Sequence, residues 1–101
     1  MTHYKKLVRD KIPQILDEKG VTYKKTILND KEYEIELGKK LTEEAKEFSD
    51  DSSSEELADV MEVVESLKKL SKYQDVDAVK EEKREKRGGF DEKIMLEGEK
   101  D

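Results

Sequence analysis

The sequence predicts an all-α fold, a helical bundle built on an antiparallel helix hairpin, and three observations predict it. Leu37, Leu41, Ala45 and Phe48 recur at the three- and four-residue spacing of one helix face. Leu57, Val60, Val63, Val64 and Leu67 form a second such stripe. Between them, residues 49–54 are serines and aspartates that interrupt the period, and a connection this short makes the two helices antiparallel.

Taken from the start, Tyr4, Leu7 and Val8 stand among lysines, and Asp10 has the chemistry of a helix N-cap. A short helix over about 11–19 should follow, with Pro13 tolerated in its first turn and Gly20 closing it. Ile12, Ile15 and Leu16 give it an apolar edge. Arg9 and Lys11 stand at its mouth, where free backbone N–H groups favour anions. Residues 21–28 are rich in β-branched side chains but alternate poorly, which supports no more than a short extended segment.

Asn29 with Glu32 has the form of an N-terminal cap for a helix over about 30–48, and the second hairpin helix spans about 54–72. Gln74 and Asp75 open a last helix to about residue 87, where Gly88-Gly89 offers the left-handed conformation that ends many helices. Its apolar face, Val76 and Val79, continues into Lys83 and Arg87, so that face turns basic toward its C-terminal end. Phe90, Ile94 and Leu96 are anchors of a C-terminal arm, and residues 97–101 are expected to fray.

Composition narrows the function classes. A chain of 101 residues, 33% hydrophobic and 48% charged, is one small domain with little apolar surface to bury. Its core is expected to need a partner subunit, as a homodimer or a dimer of dimers. The net charge of −6 argues against nucleic-acid binding that rests on an excess of lysine and arginine. Without cysteine there is neither a disulfide nor a zinc-thiolate site. No run approaches the roughly 18 apolar residues of a membrane span, and the start lacks the apolar stretch of a signal peptide. The chain therefore reads as cytoplasmic, with no membrane partner.

Two acidic runs flank the serine and aspartate loop, Glu43-Glu44-x-x-Glu47 and Glu56-x-x-Asp59. At about 100° per residue, Glu44 lies about 60° and Glu47 about 120° to one side of the first stripe. Glu56 and Asp59 lie about 60° and about 120° to the same flank of the second. Matching flanks meet on one side of an antiparallel pair. Glu47 and Glu56 are level about the loop centre, and so are Glu44 and Asp59.

Four carboxylates gathered there would repel and raise one another's pKa unless a cation neutralised them, and all-oxygen ligands suit magnesium or manganese. Glu43, Glu55, Glu62 and Glu65 project outward. Ser53-x-x-Glu56 also has the form of a capping box, a competing account of Glu56 that needs no metal. His3, the lone histidine, finds no nucleophile to serve.

The ordered set of motifs resembles a known family, the MazG-like and phosphoribosyl-ATP pyrophosphohydrolase-like branch of the all-α nucleoside triphosphate pyrophosphatases. The matching parts are Lys6-Leu7-Val8-Arg9-Asp10-Lys11-Ile12-Pro13, the two acidic runs, and Lys86-Arg87-Gly88-Gly89-Phe90. The spacer between the acidic runs is shorter than in MazG proteins. The resemblance implies magnesium, or manganese, held by Glu44 and Glu47 from one helix and Glu56 and Asp59 from the next. It also implies basic residues of the terminal segments on the substrate phosphates, and Arg9, Lys11, Lys83 and Arg87 are the positions suited to that work.

The implied reaction is hydrolysis of a nucleoside triphosphate between the α and β phosphates, releasing a monophosphate and pyrophosphate, in house-cleaning of the nucleotide pool. Glu47 and Glu44 are the catalytic carboxylates, with Glu47 the candidate base toward water. The alternatives are action on phosphoribosyl-ATP, or a non-catalytic acidic helical module that dimerises through its leucine and valine stripes.

Overall fold

The computed structural model describes residues 4–99; His3 and the last two residues of the expected frayed end lie outside the described residues. Among the described residues the regular structure is entirely helical: α1 (Ile12–Glu18), α2 (Asp30–Asp50), α3 (Ser54–Lys68), a 3-10 turn at Ser71–Tyr73, and α4 (Val76–Arg87). No helix among them is long and apolar enough to cross a membrane.

Local chemistry accounts for most boundaries. Asn29 caps α2 by accepting from the Glu32 amide at 2.9 Å, and Glu32 answers by accepting from the Asn29 amide at 3.4 Å. The expected N-terminal cap is therefore present, as a complete capping box. Ser53 opens α3 by accepting from the Glu56 amide at 3.2 Å. No return bond from Glu56 forms, because the Ser53 amide already donates to the Asp51 carbonyl at 2.8 Å. At α1 the expected cap moves by one residue: Lys11, not Asp10, occupies the N-cap, with no side-chain capping bond. Residues 21–29 contain no strand. Tyr23 ties this segment to α1 by donating its hydroxyl to Asp17 Oδ1 at 2.8 Å.

The connection after α2 is tighter than its composition suggests. α2 runs on through Asp50, leaving only residues 51–53 outside the two helices. α3 ends at Lys68, short of the expected 72, and gives way to the 3-10 turn. α4 ends at Gly88, whose φ of 79° and ψ of 178° lie in the extended positive-φ region rather than the expected left-handed helical one. That region is essentially restricted to glycine.

α2 and α3 pack on each other and carry most of the tertiary contact. Beyond α3 the chain lies beside the start of α2. Tyr73 donates its hydroxyl to Glu34 at 2.9 Å and Lys72 donates to the same carboxylate at 3.1 Å. These bonds, Lys72's first, hold the Glu34 carboxyl below its ordinary pKa. Lys68 joins α3 to the first turn of α4 through Asp77 at 3.1 Å.

The buried apolar core consists of Leu37 and Val63, 3% and 7% exposed. The predicted stripes are wider than the face that is covered: Ala45, Leu57 and Val64 are exposed, because one helix cannot cover the full apolar arc of another. A compact protein of 11.8 kDa exposes about 5,900 Å². This chain exposes 9824 Å². With so small a core, Leu37→Ala should cost about 2–5 kcal/mol. The expected result is loss of the cooperative thermal transition in far-UV circular dichroism; a transition within a few degrees of wild type would show that the contact matters little.

Candidate metal centre

Three carboxylates from two helices converge where α2 and α3 meet. One oxygen each from Glu44, Glu56 and Asp59 lies within 4.8 Å of the others. Among the described residues this is the one such group of three or more acidic side chains close enough to hold a metal ion. Glu44 is carried in by the helix repeat, since it stands seven residues beyond Leu37, within about 20° of two full turns. It therefore shares the covered face of α2, while Ala45, assigned to the stripe from sequence, turns outward.

Burial makes the group electrostatically tense. Glu44 is only 8% exposed, and its Oε2 has no hydrogen-bond partner; Glu56 Oε2 is likewise buried and unpartnered. Burial is the main cause that raises the Glu44 pKa, followed by the charge of Glu47, a hydrogen-bonding contact with the Glu47 carboxyl, and the charge of Asp59. Lys40 opposes the rise from one turn earlier, with Nζ 3.7 Å from Glu44 Oε1 and 3.7 Å from Glu43. Burial also raises Glu56, with Glu47, Asp59 and Asp51 adding to it. Orphaned acceptor oxygens among acids that repel one another are what a hard divalent cation would relieve. The half-formed capping box bears on the same point, because the Glu56 carboxylate is not consumed at its own helix end.

Glu47, the fourth predicted ligand, borders the other three. It is exposed and is not one of the three whose oxygens lie within 4.8 Å of one another, yet its carboxyl comes within hydrogen-bonding reach of both Glu44 and Glu56, and its charge raises the pKa of each. Arg9 is drawn in: its Nη2 donates to Asp59 Oδ1 at 2.7 Å, so the segment before α1 rests on α3. Lys11, Lys83 and Arg87 are exposed, and among the described residues they make no ion pair or side-chain hydrogen bond with the acidic group. Lys83 and Arg87 ride on α4, which is tied to α3 at its first turn. Glu43, Glu55, Glu62 and Glu65 are exposed, as their projection requires.

Lys40 was not anticipated as a neighbour of this site. Its signal was present in the sequence, as a lysine four residues before Glu44 on one helix face. Compared with models of known families, with curated proteins and with solved structures, the chain matches none. A cluster of three acidic residues placed where they could hold a metal ion is the feature that its geometry offers.

Proposed function

We propose that this chain is a magnesium-dependent nucleoside triphosphate pyrophosphohydrolase of the MazG-like kind, acting as a homodimer or a dimer of dimers in nucleotide-pool house-cleaning. In this reading α2 and α3 are the antiparallel hairpin of the all-α pyrophosphatase fold. The observation that carries it is the convergence of Glu44, Glu56 and Asp59, with two buried carboxylate oxygens left without partners.

Glu44, Glu56 and Asp59 would hold the cation. Bound there, it would supply neutralising charge for phosphate oxygens and a lowered pKa for an attacking water. Glu47, more exposed than the trio, is the candidate base that takes the proton of that water. Arg9 is suited to offset phosphate charge from the rim of the site, with Lys11, Lys83 and Arg87 as further phosphate contacts from the terminal segments. The water oxygen bonds to the α phosphorus, the bond from that phosphorus to the bridging oxygen breaks, and pyrophosphate leaves with the electron pair.

The deciding experiment is a panel of nucleoside triphosphates, with phosphoribosyl-ATP included, assayed for pyrophosphate with and without magnesium. Magnesium-dependent release of pyrophosphate, and not of single phosphate, is the expected result. No release from any nucleotide by protein that is folded and binds magnesium would sink the proposal.

A further inference from the structure

Arg9 is where the start of the chain meets the acids. Among the described residues, its bond to Asp59 is the one side-chain hydrogen bond or ion pair that joins residues 4–28 to the helices that follow. The other side-chain bond of that stretch, from Tyr23 to Asp17, closes on itself. Packing adds little to hold Arg9 in place, since α1 buries no residue and Ile12, Pro13 and Leu16 are only half-buried.

Two positive groups touch the acidic cluster, and they are held differently. Lys40 belongs to α2 itself, one turn before Glu44, and its Nζ lies 3.7 Å from that carboxylate. It has no hinge beyond its own side chain. Arg9 reaches in from outside the helices and donates from Nη2 to Asp59 Oδ1 at 2.7 Å. The two side chains of this pair are 57% and 39% exposed, so water can replace the bond at small cost.

Asp59 is at the same time one of the three acids whose oxygens lie within 4.8 Å of one another. A divalent ion drawn among those oxygens takes up the charge of Asp59 and repels a guanidinium bonded to the same carboxylate. Of the two positive groups, Arg9 is the one with room to move away. Its fork of N–H donors suits a phosphate as well as a carboxylate.

We infer that Arg9 and a divalent cation compete for Asp59, so that cation binding frees the guanidinium for a phosphate at the rim of the site. This rests on the cation site of the proposed function and adds an order to it, the cation first and the anion after. Linkage makes the effect reciprocal: if the cation releases Arg9, loss of Arg9 tightens the cation.

The test is phenylglyoxal labelling of the full chain with and without manganese, read by peptide mass spectrometry, with Arg87, exposed on α4, as the internal reference. Manganese should speed labelling of Arg9 several-fold relative to Arg87. In Asp59→Asn, labelling of Arg9 should be fast from the outset and indifferent to manganese. By titration calorimetry, Arg9→Gln should bind manganese about threefold tighter or more, with an unchanged circular dichroism spectrum. Wild type that binds manganese while Arg9 labels no faster overturns the competition alone. So does Arg9→Gln that binds manganese no tighter than wild type, which would make Arg9 a support that orients Asp59 as a ligand. Wild type that binds no manganese overturns the cation site, and this inference with it.

Discussion

Asp59→Asn, and separately Glu44→Gln, should each cut magnesium-dependent pyrophosphate release by roughly 100-fold or more, since even residues that only support metal ligands contribute about 10–100-fold. Both changes keep size and shape and remove one charge from a cluster whose oxygens lie within 4.8 Å of one another. Loss of activity alone would not distinguish a ligand from a residue the fold requires. Titration calorimetry with manganese should therefore show weakened binding in both variants while the circular dichroism spectrum is preserved. Arg9→Ala makes the contrast: it removes the 2.7 Å partner of Asp59 and should raise KM for the nucleotide without abolishing cation binding. Activity within about threefold of wild type in both carboxylate variants would remove these residues from the mechanism.

The next largest expected effect is on stability, measured in chelator so that no divalent cation offsets the charges. The pKa values of Glu44 and Glu56 are raised in the folded chain above the ordinary glutamate value of 4.5. As pH rises past that value, the unfolded chain releases these protons first, so it binds fewer protons than the folded chain and stability falls. The loss is complete above the raised folded values. Glu34 acts in the opposite sense, because Lys72 and Tyr73 lower its pKa and its contribution fades on acidification.

The clean quantity is therefore the difference between wild type and Glu44→Gln. The variant should match wild type near pH 4 and melt at a higher temperature near pH 7.5. Magnesium at the higher pH should raise the wild-type melting temperature and do little for the variant. A variant less stable than wild type at neutral pH would show that the Glu44 charge is already well compensated, for example by Lys40 at 3.7 Å.

The contrast between Glu44 and Ala45 shows how far sequence reading reaches. Both lie near the edge of the first apolar stripe, and hydrophobicity favours burying the alanine. Chain geometry decides otherwise: α3 covers the arc centred on Leu37, and the seven-residue step from Leu37 carries Glu44 onto it. Ser53 makes the same point about competition. Its spacing to Glu56 fits a reciprocal capping box, but a nearby carbonyl, Asp51, takes the Ser53 amide and leaves the Glu56 carboxylate to face the other acids.

What the sequence determined by itself was local: helices from apolar period, a complete cap at Asn29, a stop at Gly88, and a shared flank for four acids. Each depends on neighbours within a turn or two, and such interactions are encoded in spacing. Only the tertiary structure decided how closely the acids approach one another, how deeply Glu44 is buried, and that Arg9 crosses 50 positions of sequence to reach Asp59. It also left one flank of α2 and α3 apolar and open. These outcomes depend on which arc of one helix another covers, a long-range balance of burial and charge that no single stretch of sequence contains.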